Sequence, residues 1–368
     1  MKHDATVAGY IGVDITPGFP AGRKVVPMAE LLRPGILVET DGLSISLGGV
    51  VPHTGLAMKK FGQRVELMGL TGNDVLGDVV RSQLAAHGIK SGIRRTGKAG
   101  TAYGIVLAPP GADRMFLEDP GCNGTFTSAD IDYAKVGQGR LFHFGYPTLM
   151  RSLFRNGGAE LRKIFARVHK IGVVTSLDTT LPDPDSPAGK VDWQKILEGT
   201  LPHVDIFAPS LEELLSMLEP REYARLQSQA KGGDITDIVA DDLFRRMGDR
   251  ILKLGVNVLM IKAGHRGAYI RTGNMTMGLH LSAGDWGNRE FWSPALRVDP
   301  RKVINACGAG DCAVAGFLSA MLEGVGIEDA GQYAMIAGRD NLYGVDALQG
   351  LRDWESMKRN PMGFSTGA

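Results

Sequence analysis

The 368-residue sequence predicts an α/β fold, a parallel sheet with helices on both faces, on three observations. From residue 141 onward, short apolar runs alternate with longer helical patterns, as in strand–helix–strand units whose sheet is covered on both sides. There are 50 glycines with no strict repeat, about twice the average frequency, which suits tight turns and close backbone approach. The composition, 43% hydrophobic and 22% charged, is that of a globular chain long enough for one large α/β domain or two smaller ones.

The elements follow in order. Residues 7–13 read as an opening strand. Residues 16–47, rich in Gly and Pro with short alternations such as Leu43-Ser44-Ile45, read as irregular β structure or a flap. After Gly48-Gly49, residues 52–61 form a helix that Gly62 ends as a C′ glycine. Residues 65–70 are a strand and 79–87 a helix closing at Gly88. Residues 101–117 give short β segments around the turn Pro109-Pro110-Gly111. Strands then fall at 141–144, 172–177, 204–207 and 256–261, and helices at 160–170, 211–218, 238–254 and 312–322. Residues 178–190, with three prolines, read as a surface loop.

Several function classes drop out. With 41 Lys plus Arg against 40 Asp plus Glu, nothing favours a nucleic-acid partner. Three cysteines (Cys122, Cys307, Cys312) cannot build a disulfide framework, which points to a reducing compartment. The start, Met1-Lys2-His3-Asp4, lacks a signal-peptide apolar stretch, and no apolar run nears the ~18 residues that span a membrane. The expectation is a soluble cytoplasmic protein. His3, His87, His169, His203, His265 and His280 show no metal-ligand spacing, so no structural metal is expected.

Ligands of open α/β sheets sit at the carboxyl ends of strands, so the strand-to-helix loops are where chemistry is sought. The most informative stretch is Asn305-Ala306-Cys307-Gly308-Ala309-Gly310-Asp311, between a strand near Val303 and a helix starting near Asp311. Small residues let a ligand approach the backbone, and free amides at a helix N-terminus attract an anion. An aspartate there stays ionised beside the phosphate site and could accept the proton of an attacking alcohol. An Asp N-cap after a glycine turn would give the same pattern, and G-x-G-D alone does not choose between them. Gly48-Gly49, the turn from Gly69 to Gly77, and Lys262-Ala263-Gly264-His265-Arg266-Gly267 are further candidate loops. A hairpin turn would explain the last without any ligand.

In order and spacing these loops resemble the ribokinase-like sugar kinases, the PfkB carbohydrate kinase family, over nearly the whole chain. The family's second signature, typically D-T-x-G-A-G-D, matches residues 305–311. Its first, a Gly-Gly pair and a helix ending in Leu-Gly, matches Gly48-Gly49 through Phe61-Gly62. The G-x-x-G-x-D-x-x-G turn matches Gly69, Gly72, Asp74 and Gly77. The resemblance implies a Rossmann-like three-layer α/β/α sandwich, one domain over residues 1–368. A small β lid from residues 15–45 and 95–120 is also implied; similar proteins often use it for dimerisation. It implies an ATP-dependent kinase, a phosphotransferase acting on a hydroxyl of a sugar or sugar-like molecule with Mg²⁺. On the matching positions, Asp311 is the general base and Gly308, Ala309 and Gly310 the anion hole. Asp14, Gly48, Gly49 and His53 bind substrate. Ser210, Lys262, Gly264 and Gly267 bind nucleotide, and Glu213 holds Mg²⁺ through water.

The chain also departs from the pattern. Asn305 and Ala306 replace the Asp-Thr of the second signature; that Asp often helps hold a monovalent cation in similar kinases, so potassium dependence stays open. Ser210 replaces Asn in the family's N-x-x-E motif. Lys262 stands where Thr is usual and could reach phosphate as a point charge. His53 takes a place where many sugar kinases have Asn, and Val50, where ribokinases commonly carry Lys, argues against a plain ribokinase. Cys307 is read as a residue chosen for fit more than for thiol reactivity. His143 and Tyr146 follow a strand near the site, where a core role suits them equally. Arg23, Lys24, Arg94 and Arg114 could meet a phosphorylated substrate, though a solvated face suits them better. Trp286 and Trp292 fit either a site wall or sheet packing. Two rival functions stand beside the sugar kinase: a nucleoside (adenosine-like) kinase of the same fold, and a non-catalytic sugar or nucleotide sensor suggested by Asn305, Ala306 and Ser210.

Overall fold

The computed structural model describes residues 1–20, 22, 24, 28–109, 115–274 and 286–361. The chain begins with β1 (Ala5–Gly9), β2 (Gly12–Pro17), β3 (Leu43–Gly48), α1 (Val50–Lys60), β4 (Val65–Gly72), α2 (Val75–Ala86), β5 (Ile93–Thr96), β6 (Ala102–Leu107) and β7 (Met115–Asp119). It continues through β8 (Leu141–Gly145), α3 (Ala159–Ile171), β9 (Val174–Asp178), α4 (Trp193–Thr200), β10 (Ile206–Phe207), α5 (Leu211–Leu218), α6 (Pro220–Ala230) and α7 (Asp241–Lys253). Then come β11 (Val258–Lys262), β12 (Ala268–Thr272), β13 (Glu290–Ser293), α8 (Ala309–Leu322), α9 (Ile327–Asn341) and α10 (Trp354–Arg359), with shorter helical turns between.

Nine strands form the main sheet in the order β13-β12-β11-β10-β9-β8-β1-β4-β5. Strand alternation sends neighbouring side chains to opposite faces, and the helices use both. Phe142 and Phe144 of β8 meet Phe165 of α3, while Gly145 turns to Val50 of α1. Tyr269 and Arg271 of β12 lie beside Gly248 of α7, and Ile270 lies beside Gly331 of α9. The result is a Rossmann-like three-layer α/β/α sandwich. Its small-residue helix α8 packs against α1 and α9 and is buried from Asp311 to Leu322. Among the described residues, no helix is long and apolar enough to cross a membrane.

A separate four-stranded sheet has the order β3-β2-β6-β7. Its register aligns Ser46, Asp14, Gly104 and Glu118 in one row across the strands, and Ile45, Ile15, Ile105 and Leu117 in the next. Successive rows face opposite sides, so the sheet has one polar face and one apolar face.

Several expectations are corrected. The opening run 7–13 is two strands: β1 ends at Gly9 (φ 127°), and after Tyr10-Ile11 the chain enters the second sheet as β2. The main sheet is mixed, because β11, β12 and β13 pair antiparallel. No strand forms near Val303; a 3₁₀ turn at Pro300–Lys302 is followed by irregular backbone, with Ile304 60% exposed. Gly49 already caps α1, so that helix starts two residues before its expected start at 52. Likewise α2 starts at Val75 behind the Asp74 cap, whereas α7 starts late, at Asp241, after a separate 3₁₀ turn. The turn at Pro110-Gly111 lies outside the described residues.

Candidate active site

The carboxyl ends of the strands meet the N-terminus of α8, and Asp311 sits in that helix's first turn rather than at its cap. Gly308 caps the helix with φ 78°, a left-handed conformation that favours glycine. A side chain there would also fall 3.2 Å from His53 Nδ1. Of the three anion-hole amides expected from the motif, Ala309 N–H turns back to the Ala306 carbonyl at 3.3 Å. Among the described residues, the Gly308 and Gly310 amides carry no hydrogen bond and keep the partial positive charge of the helix end.

Asp311 is buried yet well supplied with donors. Tyr146 Oη donates to Oδ1 and Oδ2 at 2.9 and 2.7 Å, and His53 Nδ1 lies 3.1 Å from Oδ2. Burial alone would raise its pKa, but the hydrogen bond and charge of His53, the Tyr146 hydroxyl and the Lys262 charge together hold it below the ordinary value. His53 Nε2 lies 2.9 Å from the Leu47 carbonyl, which can only accept, so that nitrogen carries a proton. Burial works against its charge, yet the bond to Asp311 and the charges of Asp311 and Asp14 lift its pKa to about 9. His53 is therefore an imidazolium at neutral pH that donates from both nitrogens.

Across the helix end lies Lys262, the last residue of β11. Its Nζ donates to Asp178 Oδ1 and Oδ2 at 2.7 and 2.9 Å. A Cβ on Gly310 would lie 3.6 Å from that Nζ, so the ammonium stands over the first turn of α8. Burial disfavours its charge, but Asp178, Glu213 and Asp311 outweigh burial and keep it cationic. Ser210 and Glu213 form a reciprocal cap on α5. Ser210 Oγ accepts from Glu213 N–H at 3.2 Å, and Glu213 Oε2 accepts from Ser210 N–H and from Thr179 Oγ1, both at 2.9 Å. The backbone of Lys262 bonds to Pro209 O at 2.9 Å, which ties this cap to β11. Gly264 and Gly267 lie in the β11–β12 hairpin turn; a Cβ on Gly267 would fall 2.1 Å from the Ser293 carbonyl of β13. Strand packing thus requires Gly267 whatever else the turn does.

On the other side of Asp311 is a cavity of about 450 Å³, lined by Asp14, Thr16, Ser44, Ser46, His53 and Cys307 among others. Asp14 Oδ2 is 3.6 Å from Cys307 Sγ, and burial raises the Asp14 pKa. Gly48 leaves room for this carboxylate, since a Cβ there would fall 2.4 Å from Asp14 Oδ1. The carbonyl of Gly49 accepts from His53 N–H at 3.1 Å. Asp14, His53 and Cys307 form the one trio of metal-ligating types within 4.8 Å found among the described residues. The two hydrogen bonds of His53 leave it no lone pair for a metal.

The structure thus brings Asp14, Gly48, His53, Gly308, Gly310, Lys262 and Asp311 into one continuous site, with Ser210 and Glu213 behind Lys262. It adds two residues that no motif marked. Tyr146 (φ 64°) holds the Asp311 carboxylate, and Asp178, expected in a surface loop, is fully buried against Lys262. His143 is core: Nδ1 lies 2.9 Å from Ser176 Oγ, and burial drives its pKa down to about 3. Trp286 Nε1 donates to Val325 O and its ring packs on Phe317, while Trp292 packs on Phe244, so neither walls the site. Arg94 pairs with Asp130 at the surface and Lys24 is exposed. Arg23, Arg114 and His280 lie outside the described residues.

A family model described as "pfkB family carbohydrate kinase" matches residues 24–339. An uncharacterized sugar kinase of Archaeoglobus fulgidus is 24% identical over 301 residues, 80% of this chain and 98% of that protein. Among solved structures, Arabidopsis thaliana ribokinase complexed with ribose and ATP superposes with a TM-score of 0.71 at 17% identity, over 99% of this chain and 100% of that one. An Escherichia coli protein assigned as a ribokinase II, in complex with ATP and Mg²⁺, gives 0.68 at 21% identity, over 97% and 98%. At these identities the structures show the shared fold.

Proposed function

Because the chain belongs to the pfkB family of carbohydrate kinases, it is a phosphotransferase with an alcohol group as acceptor, and we propose that it transfers the γ-phosphoryl group of ATP to a hydroxyl of a sugar or sugar-like small molecule. The observation that carries this reading is Asp311, ionised though buried, between the open cavity and the helix end over which Lys262 stands.

The substrate hydroxyl gives its proton to an Asp311 carboxylate oxygen while its own oxygen attacks the phosphorus. A base of lowered pKa suffices, because phosphoryl transfer has a loose transition state in which positioning and charge stabilisation dominate. His53 and Tyr146 hold the carboxylate in one rotamer. The Gly308 and Gly310 amides and Lys262 face the transferred group and stabilise its charge. On the nucleotide side, Asp178 and Glu213 stand with Asp311 around the single Lys262 ammonium, an acidic excess that fits a divalent cation. When bound, Mg²⁺ would be held near Glu213 and would offset the charge of the ATP phosphates. The four-stranded sheet, formed largely from residues 15–45 and 95–120, acts as the lid that excludes water. Its apolar row, with Ile45 41% and Leu117 50% exposed, is the surface on which two lids would pair.

Two of the three substitutions that raised a sensor reading, Asn305 and Ser210, have structural jobs. Asn305 Oδ1 accepts from Cys307 N–H at 2.8 Å and its Nδ2 donates to Val345 O at 3.1 Å, while Ser210 caps α5. Neither removes the base or the open amides. The test is ADP release from Mg·ATP across sugars, polyols, sugar acids and nucleosides, with Asp311→Asn alongside. A substrate whose turnover collapses in the variant while its binding persists supports the kinase. Unchanged turnover would overturn Asp311 as the base.

A further inference from the structure

Asp14 has a neighbour that no motif marks. The row Ser46, Asp14, Gly104, Glu118 puts Glu118 of β7 one strand beyond Gly104, on the polar face that Asp14 shares with the cavity. Gly104 is what lets the two carboxyls approach. A Cβ there would fall 2.6 Å from Glu118 Oε2 and 3.4 Å from Asp14 Oδ1. Tyr10 Oη donates to Glu118 Oε1, which leaves Oε2 turned to the Asp14 side. The Tyr10 ring packs 6.3 Å from that of Tyr146, whose hydroxyl holds Asp311, so Glu118 is continuous with the base through two tyrosines. Glu118 packs its carboxyl beside Tyr10 yet keeps enough of its surface exposed for a ligand to reach it.

The charge of this wall is one-sided. Asp41 and Asp346 line the cavity with Asp14, and among its described lining residues there is no Lys or Arg. The cationic His53 is spent on Asp311 and the Leu47 carbonyl. A carboxylate or phosphate on the substrate would meet like charge without a partner, whereas hydroxyls would find acceptors at both carboxyls. Burial, with the charges of Asp14 and Asp119 adding to it against the Tyr10 hydrogen bond, pushes the Glu118 carboxyl up to about 7. Near neutral pH Glu118 is therefore populated in both protonation states, and can donate as well as accept.

We propose that Glu118 is a second substrate-binding carboxylate which, paired with Asp14 across Gly104, selects an uncharged polyhydroxylated substrate over an anionic one. The proposal rests on the kinase reading above and narrows its substrate class.

The test uses the full chain and sets matched by carbon skeleton: a neutral sugar or polyol, its aldonic acid, its phosphate ester and its amino analogue. ADP release gives kcat and KM, and ligand-induced melting shifts give binding without nucleotide. The neutral member should lead its set, and Glu118→Gln should raise its KM about tenfold, as loss of one hydrogen bond to a charged group does, with a smaller change in kcat. Glu198→Gln, exposed on α4 and away from the four-stranded sheet, should leave KM unchanged. An acid, phosphate or amine that outperforms the neutral member, or an unchanged KM in Glu118→Gln, overturns the proposal. Melting shifts by neutral members that weaken in Glu118→Gln, without any ADP release, would sink the kinase reading and leave this subsite standing. No melting shift and no ADP release from any member would overturn both.

Discussion

The two walls of the site are built on opposite electrostatic terms. At the α8 end each acidic side chain has donors of its own: Asp311 has His53 and Tyr146, Asp178 has Lys262, and Glu213 has the Ser210 N–H and Thr179. At the four-stranded sheet, among the described residues, Asp14 meets a thiol and Glu118 a phenol, and the cavity that Asp14 lines stands open. The first wall has its dipoles set before any ligand arrives, as electrostatic catalysis requires. The second leaves its hydrogen bonds for the ligand to complete, as recognition requires. Substitutions in the first wall should therefore act on kcat, and those in the second on KM.

The largest effect belongs to Asp311→Asn. The amide keeps the size and the neighbours but cannot take the proton, so kcat should fall about 10²–10⁴-fold while substrate affinity holds. A KM change without a kcat change would place Asp311 with the recognition wall and break the contrast. Lys262→Met comes next. Combined with Asp178→Asn, so that no unpaired carboxylate is left buried, it should lower kcat by about 10²–10³-fold, the usual loss for one donor to a developing charge. Steady-state kinetics on Asp178→Asn alone separates the two residues, since that variant keeps the ammonium and should lose less.

His53 sharpens the comparison through stability. Its pKa of about 9 in the folded protein lies above the unfolded value of 6.5, so its contribution is full below pH 6.5 and is lost as pH rises toward 9. The difference corresponds to about 3 kcal/mol. Urea unfolding of the wild type should weaken across that window, while His53→Gln should lack this decline. Parallel curves for the two proteins would show that His53 carries no proton bound to Asp311.

What the sequence made legible divides along the same line. Residues whose role rests on nearby chain were readable: Gly308 to Asp311 form one turn, Ser210 and Glu213 one cap, and helix 211–218 came out with the bounds of α5. Residues whose role rests on distant partners were not. Asp178 looked like part of a proline-rich loop because its partner, Lys262, lies 84 residues on, and Glu118 is 108 residues from Tyr10. The run 7–13 read as one strand because apolar alternation carries no sign of which sheet a residue joins; only Gly9 and Gly12 hinted at the crossing. Val303-Ile304 look like a strand by β-branching, yet among the described residues no strand runs beside them; Ile304 N–H bonds to Leu342 O after α9, and both side chains lie exposed.

The smallest effect expected is none at all, and it concerns Asn305. In similar kinases an Asp at this position often helps hold a monovalent cation. In this chain the amide spans the same loop by itself: its oxygen takes the Cys307 N–H and its nitrogen gives a hydrogen bond to the Val345 carbonyl. Asn341 reinforces the junction, donating to Cys307 O at 3.1 Å and Ala347 O at 3.0 Å. An NH₂ group already fills the role toward a backbone carbonyl that a cation would play, and a neutral amide offers a cation less than a carboxylate does. Exchanging potassium for tetramethylammonium should therefore leave kcat and KM unchanged, and Asn305→Asp should introduce a potassium dependence. Potassium activation of the wild type would show that the loop next to α8 is not preset by its own hydrogen bonds, and would move this corner of the site from the first wall to the second.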